Sequence, residues 1–257
     1  MNATLTVLGS GTSMGVPTLG CTCKVCTSPD PHDNRTRPSI TVAYDSHVVL
    51  IDTTPDFRAQ AIRERLSRID AILYTHAHAD HILGLEDVRP LSFRNPEKIP
   101  LYAYPETAAQ IKNSFNYIFD PDPDYTTLAR VELRPLNGDL VLFGAHFLPV
   151  RLLHGKAEIY GFRFGRAAYL TDFSEIPEDS MSLLRDLDIL FLDALRHRPH
   201  PTHSNVEHSL GLVEQLRPKR AFFTHISHDL GHEETNAALP PNVRLAYDGL
   251  KLEFEIY

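Results

Sequence analysis

Short apolar runs alternate with polar segments along the whole chain, a pattern typical of β-strands separated by loops and helices. The runs predict strands near residues 2–8, 39–44, 47–52, 69–74, 131–135, 139–143, 146–153, 158–164, 167–171, 187–193, 219–224, 243–246 and 250–256. Apolar positions at helical spacing predict helices over about 56–67, 82–93, 105–118, 178–186 and 205–216. Two sheets packed face to face with helices outside would satisfy this order, as would other α/β folds.

The length of 257 residues allows one large domain or two small ones, and no internal repeat or Gly/Ser linker divides the chain. The segment 119–128, with three Asp and two Pro, is predicted to form a surface loop or lid. No apolar run reaches the roughly 18 residues of a membrane span, and the N-terminus lacks the basic and apolar regions of a signal peptide. We therefore expect a cytoplasmic protein without membrane association.

The formal net charge of −8 argues against a broad basic surface for nucleic acid. A small anion, small nucleotides included, can still bind where metal ions supply local positive charge. The chain has 14 His and three Cys, and the three Cys lie within six positions. Both residue types are metal ligands, so this composition directs attention to metal sites.

The densest group of metal-ligand residues, His76, His78, Asp80 and His81, follows the predicted strand at 69–74. Residues two apart in an extended segment point the same way, so His76 and His78 can hold one cation. Asp80 and His81 fall at the start of the next helix and can face a second cation. Imidazole and carboxylate ligands suit zinc, manganese or iron. One loop therefore predicts ligands for two ions.

Three further candidates each stand at the end of a predicted strand, where loops carry functional groups on a rigid scaffold. His154 follows the strand at 146–153, Asp172 ends the strand at 167–171, and His225 ends the strand at 219–224. Each of them alone is more often a structural or surface residue than a ligand. Their shared position favours a common site.

The order His-X-His-X-Asp-His, strand-end His, Thr-Asp and late His resembles the metallo-β-lactamase superfamily over nearly the whole chain. The resemblance implies a four-layer αββα sandwich as one domain, residues 1–257, with metals at one edge. It also implies two sets of ligands and a bridge between them. The first set would be His76, His78 and His154, the second Asp80, His81 and His225, and the bridge Asp172.

The residue at the bridging position, Asp172, indicates which subclass of the superfamily the chain resembles. True β-lactamases of this fold usually have Cys there, whereas Asp172 resembles the phosphodiesterases, ribonucleases and glyoxalases. Asp52 resembles the superfamily's strand-end Asp, which orients a ligand His by a hydrogen bond that fixes its tautomer. From the sequence alone, a simple turn residue is an equally good interpretation of Asp52.

Cys21, Cys23 and Cys26 place three thiols in one loop, about residues 17–30. An odd number of Cys cannot pair completely, and a reducing compartment disfavours disulfides. A structural zinc takes four ligands, and three Cys with one His is an accepted set. His228, three residues after His225, is the predicted fourth ligand. The zinc would then clip the N-terminal loop to an active-site loop.

Three segments narrow the resemblance further: residues 9–17, the Cys-X-Cys-X-X-Cys motif and Thr-His-Ile-Ser-His at 224–228. Together they closely resemble the PhnP-type phosphodiesterases, which accompany the carbon–phosphorus lyase pathway and open cyclic ribosyl phosphates. In that family the three Cys and the second His bind a structural zinc. The resemblance implies two divalent metals at the active site, Zn or Mn, one structural Zn and a homodimer.

The resulting hypothesis is hydrolysis of a small phosphodiester, such as a cyclic ribosyl phosphate or cyclic nucleotide, by a hydroxide bridging two metals. An alkoxide leaving group needs a general acid. By position His203 resembles the family's catalytic His and is preferred, with His200 second, and Asp80 can share protons with the hydroxide. Alternatives are a ribonuclease Z-like nuclease, which the acidic charge disfavours, a thioester or lactone hydrolase, and a non-catalytic metal-bound scaffold.

Overall fold

The computed structural model describes residues 1–120 and 127–257. Its strands are β1 (Asn2–Gly9), β2 (Ser39–Tyr44), β3 (His47–Ile51), β4 (Ala71–Leu73), β5 (Ile99–Ala103), β6 (Val131–Pro135), β7 (Leu140–Leu142), β8 (Ala145–His154), β9 (Ala157–Phe164), β10 (Ala167–Leu170), β11 (Ile189–Asp193), β12 (Arg220–Thr224), β13 (Val243–Leu245) and β14 (Lys251–Glu255). Its α-helices are α1 (Phe57–Arg63), α2 (Ala79–Ile82), α3 (Arg89–Ser92), α4 (Pro105–Ser114), α5 (Asn116–Phe119), α6 (Glu178–Met181), α7 (Val206–Leu216) and α8 (His232–Ala238). Most of the predicted lid, residues 121–126, lies outside the described residues.

The strands form two mixed sheets of seven strands each, in the orders β14-β1-β2-β3-β4-β5-β6 and β13-β12-β11-β10-β9-β8-β7. Their inner faces pack on each other and form the main core. Leu5, Ile51 and Leu73 of the first sheet belong to the same buried cluster as Phe147 and Phe191 of the second. Burial of this apolar surface is the main force that holds the two sheets together.

Helices cover both outer faces. On the first sheet, Leu50 and Ile72 belong to a buried cluster with Phe57 of α1. On the second sheet, Leu190 belongs to a buried cluster with Leu212 of α7. The resulting four-layer αββα sandwich confirms the predicted fold class. Among the described residues, no helix combines the length and apolar character needed to cross a membrane.

Parallel pairing brings several strand ends to one edge of the sandwich. β3 and β4 run parallel in the first sheet, and β10, β11 and β12 run parallel in the second. Asp52, Asp172 and His225 follow the ends of β3, β10 and β12, and their φ angles are 65°, 61° and 58°. Positive φ is unfavourable for residues other than Gly and clusters at functional sites. Three of the nine non-Gly residues with positive φ in the described part of the chain therefore lie at this edge.

Two elements, β5 and α8, are not predicted by the sequence pattern. β5 contains Pro100, and a Pro inside an apolar run argues against a central strand. α8 has the sequence His-Glu-Glu-Thr-Asn-Ala-Ala, which lacks large apolar residues at helical spacing. In both cases the tertiary contacts of the segment decide its conformation, because the local pattern is weak.

The single helix expected over 82–93 is wrong. The chain instead forms the end of α2, a 3₁₀ turn at Leu85–Val88, and α3. Gly84 separates the first two pieces, and a Cβ atom at this position would lie 1.9 Å from the Thr54 backbone oxygen. The chain therefore approaches the Thr54 segment closely at Gly84, and Pro90 then begins a new helix.

Candidate metal centre

Four buried side chains converge at this edge: Asp80, His81, Asp172 and His225. The His81 Nε2 atom lies 3.4 Å from Asp80 Oδ2 and 3.3 Å from Asp172 Oδ2. The His225 Nε2 atom lies 3.0 Å from Asp172 Oδ1 and 3.8 Å from Asp80 Oδ2. All four residues are at most 7% exposed. The structure therefore brings together the residues expected for the second metal and for the bridge.

The donor atoms of this group fit a cation. Ligands bound about 2.0–2.2 Å from a tetrahedral ion lie roughly 3.4 Å apart, which is close to the distances above. His81 Nε2, His225 Nε2 and Asp80 Oδ2 are buried and have no hydrogen-bond partner in the described part of the chain. Buried polar atoms are normally partnered, so unpartnered atoms that face one another indicate a ligand between them. Imidazole and carboxylate donors together favour a divalent metal.

The three histidines expected at the first metal also lie together. The ring centroids of His76 and His78 are 4.6 Å apart, and those of His78 and His154 are 5.1 Å apart. His154 Nδ1 donates to the backbone carbonyl of Asp172, which leaves its Nε2 atom free. His76 Nε2 is buried without a partner, and burial lowers the pKa of His76 well below its usual value. A neutral imidazole of this kind is the metal-binding form.

Asp52 holds one of the candidate ligand histidines, His81, in place. Its Oδ2 atom accepts from His81 Nδ1 at 2.7 Å, and its two oxygens also accept from the Thr75 backbone N–H and hydroxyl. A carboxylate on Nδ1 fixes the tautomer that offers Nε2 to a metal. Asp52 thus makes the orienting contact that the family resemblance implies, and the same bonds hold the chain at Thr75, immediately before His76.

Electrostatic interactions keep the carboxylates of this group ionised. Burial alone would raise the pKa of Asp172, but His225 and His81 hold it well below its usual range. Burial also opposes ionisation of Asp80, yet His81 and His225 lower the pKa of that carboxyl. Against the effect of burial, the carboxylates raise the pKa of His225 to about 10. Without a cation, the carboxylates therefore favour protonated His81 and His225, and a bound cation would take the place of those protons.

His203 lies directly beside two of the candidate ligand histidines. Its ring stacks on that of His225 and meets that of His154 edge-on, with centroids 4.7 Å apart in both pairs. Its Nδ1 atom lies 2.8 Å from Asp193 Oδ2. Burial lowers the pKa of His203 to about 4, and burial raises the pKa of Asp193 well above its usual value. The two side chains therefore share one proton along this hydrogen bond.

His200, the second candidate acid, has no comparable partner. Its Nδ1 atom contacts the backbone N–H and hydroxyl of Thr202 at 3.3 and 3.2 Å. Its ring centroid is 5.1 Å from that of His203. No carboxylate of the described residues forms an ion pair with His200, so the geometry favours His203 for proton transfer.

Asp193 is the site residue that the sequence prediction missed. It ends β11, whose sequence is Ile-Leu-Phe-Leu-Asp, just as Asp52 and Asp172 follow other apolar strands. An Asp at the end of an apolar strand is therefore a sequence pattern that could have identified Asp193 as a site residue. Its Oδ2 atom also lies 3.9 Å from His225 Nδ1. One buried carboxylate therefore faces both the candidate acid and a candidate ligand histidine.

A second donor group joins the Cys loop to the segment after β12. The Sγ atoms of Cys21, Cys23 and Cys26 lie 3.2, 3.7 and 3.3 Å from His228 Nδ1. Sulfur and nitrogen ligands of a tetrahedral zinc, at about 2.3 and 2.0 Å from the ion, are roughly 3.5 Å apart. The four residues expected at the structural zinc thus meet, with distances that fit that ion.

The fold and its donor groups define a class of protein, the metal-dependent hydrolases of the metallo-β-lactamase fold. In agreement, the beta-lactamase superfamily domain matches residues 47–226. The crystal structure of a new diphosphatase from the PhnP family superposes with a TM-score of 0.95 at 61% identity, covering 100% of this chain and 98% of that chain. The chain therefore belongs to the PhnP family of the β-lactamase superfamily, which confirms the family predicted from its sequence.

Two other proteins are similar over most of this chain. Zn²⁺-bound PqqB from Methylobacterium extorquens superposes with a TM-score of 0.79 at 21% identity, covering 97% of this chain and 99% of that chain. At this identity the similarity shows the fold. An octanoyltransferase from Porphyromonas gingivalis is 36% identical over 252 residues, which are 95% of this chain and 50% of that protein. The chain thus spans about half the length of that relative.

Proposed function

We propose that the protein hydrolyses small phosphodiesters, with a cyclic ribosyl phosphate or a cyclic nucleotide as the substrate class. The observation that carries the proposal is the position of the His203–Asp193 pair against two adjoining groups of ligand side chains. Phosphodiester cleavage needs an activated water, positive charge at the phosphoryl oxygens and a proton for the leaving group. The residues at this edge suit all three needs.

We propose two divalent cations, Zn or Mn, at this centre and one structural Zn at the thiol cluster. When bound, the two cations would lower the pKa of a water molecule toward neutrality and stabilise charge on the phosphoryl oxygens. Asp172 is suited to join the two ligand groups. Its carboxylate faces His81 and His225, and its backbone carbonyl accepts from His154.

His203 and Asp193 would protonate the leaving group. The Nε2 atom of His203 is the free nitrogen, because Nδ1 is bonded to Asp193. As the Nε2 proton passes to the leaving oxygen, the Asp193 proton moves to Nδ1, so His203 stays neutral and Asp193 becomes a carboxylate. Burial raises the pKa of Asp193 and so favours the form in which this carboxyl carries the proton before the reaction.

Replacing Asp193 with Asn should therefore lower the turnover of a 2′,3′-cyclic nucleotide by about 100-fold, within the usual contribution of general acid catalysis. Bis(p-nitrophenyl) phosphate should be affected much less, because p-nitrophenolate leaves as an anion. Steady-state kinetics on both substrates and metal analysis check this. Asp139→Asn is the matched control, since Asp139 pairs with His146 at 2.6 Å on the surface. If Asp193→Asn lowered turnover equally on both substrates, Asp193 would act through its contact with His225 and not through proton donation by His203.

A second candidate function is cleavage of a diphosphate bond, which the 61% identity to a PhnP-family diphosphatase supports. Attack at phosphorus would use the same ligand groups. The leaving group would be a phosphate, which departs as an anion more readily than an alkoxide does. Diphosphate cleavage would therefore depend less on His203 than cleavage of a cyclic nucleotide.

A substrate screen with the purified protein, loaded with Zn or Mn, tests these candidates. The substrates are bis(p-nitrophenyl) phosphate, a 2′,3′-cyclic nucleotide, a dinucleoside diphosphate, precursor transfer RNA, an octanoyl thioester and a lactone. We expect turnover of the phosphodiesters. Preference for transfer RNA, the thioester or the lactone would favour those alternatives, and inactivity on all substrates would favour a metal-bound scaffold. Absence of phosphodiester turnover with either metal would overturn the proposal.

A further inference from the structure

The two chain segments that carry the thiol cluster meet a second time. Beyond Cys26 the chain forms a 3₁₀ turn at Pro31–Asp33, and beyond His228 it enters α8. His32 of the turn and His232 of the helix lie with their ring centroids 4.6 Å apart. Neither histidine belongs to the centres described above.

Together with Glu233, these histidines place three ligand atoms within 4.8 Å of one another. His32 Nδ1 lies 3.2 Å from Asp30 Oδ1, a carboxylate contact that leaves Nε2 available as a ligand. His232 is only 6% exposed, and its Nδ1 atom is buried with no hydrogen-bond partner among residues 1–120 and 127–257. A buried nitrogen without a partner calls for a ligand to account for it.

Contacts that do not involve a cation already hold both rings in place. The backbone N–H of His232 donates to Asp33 Oδ1 at 2.8 Å, and Asp33 forms a buried ion pair with Arg35 at 2.9 Å. The ring of Tyr247 packs 4.3 Å from that of His32 and 5.7 Å from that of His232. Ligands held in this way lose little freedom when an ion binds.

We propose that His32, His232 and Glu233 form a further binding site for a borderline divalent cation such as Zn²⁺. Two imidazoles and one carboxylate are an established zinc ligand set that leaves one position for water. The charge of Arg35 is balanced by Asp33. Glu233 is exposed, so its side chain can move to complete the site. The ion would tie the turn after the Cys loop to α8, separately from the thiol cluster.

Equilibrium dialysis at buffered micromolar Zn²⁺ tests this site, with bound metal counted by mass spectrometry. The wild-type protein should bind one equivalent more than His32→Gln or Glu233→Gln. The resident metals should be equal in all three, because neither residue touches the other centres. His146→Gln is the matched control, since His146 is an exposed histidine beside a carboxylate, and it should bind as much as the wild type.

The ring nitrogens of ¹⁵N-labelled protein provide an independent measurement. Zn²⁺ added to the fully loaded protein should shift the His32 and His232 resonances and leave those of His146 unchanged. Equal zinc counts in the wild type and both variants, without a shift at His32 and His232, would overturn the proposal. The two rings would then be an aromatic packing contact with Tyr247 and nothing more.

Discussion

Replacing Asp172 with Asn should lower the turnover of bis(p-nitrophenyl) phosphate by about 1,000-fold or more. Metal ions supply several kcal/mol of charge stabilisation, and roughly each 1.4 kcal/mol is a factor of ten in rate. The amide matches the carboxylate in size, so the fold should persist. It lacks the negative charge that faces His81 and His225. Metal analysis of the same preparation should show fewer bound cations.

Asp179→Asn is the control for this experiment. Asp179 is exposed and pairs with Arg151 at 3.0 Å on the surface, so its substitution should leave rate and metal content unchanged. Circular dichroism confirms that both variants are folded. If Asp172→Asn kept the full rate and the full metal content, Asp172 would have no place in the centre and the hydrolytic proposal would lose its bridging ligand.

The second large effect is expected at His203, and its size should depend on the leaving group. His203→Ala should lower the turnover of a 2′,3′-cyclic nucleotide by about 10²–10⁴-fold, the range of general acid catalysis. The loss with bis(p-nitrophenyl) phosphate should be much smaller, because this leaving group needs no proton. A dinucleoside diphosphate should fall between the two. The measurement is kcat for each substrate at saturating metal.

His200→Ala provides the comparison for this prediction. His200 lies in the same loop, but its Nδ1 atom contacts Thr202 and not a carboxylate. We expect its substitution to lower all rates to a similar, small extent. If the loss of rate depended on the leaving group in His200→Ala but not in His203→Ala, the general acid would be His200 and not His203.

Much of the centre could be predicted because its signals are local in the sequence. Four potential ligands within six residues, after an apolar strand, predict a metal-binding loop wherever the rest of the chain lies. The thiol loop is equally local, since a spacing of two or three residues lets thiols reach one ion. Strand-end positions selected Asp172 and His225, because parallel strands present their ends at one edge of a sheet. The resemblance to the superfamily rests on these motifs, and the expected fold was what that resemblance implied.

Other features depend on which strands are neighbours, and short-range patterns do not encode that order. Asp193 and His203 are paired because β11 lies between β10 and β12, which carry Asp172 and His225 at their ends. The sequence pattern is the same whether Asp52 orients a histidine or is a simple turn residue. Only the pairing of β3 with β4 places Asp52 against His81.

The sequence by itself determined the chemistry of the donors, since ligand identity and spacing within a loop are properties of the chain. The tertiary structure alone decided how distant donors combine. It set the hydrogen-bond partners of His81, His154 and His203 and the meeting of His32 with His232. The physical reason is that burial and hydrogen bonding, which determine protonation and orientation, arise only when segments far apart in sequence pack together.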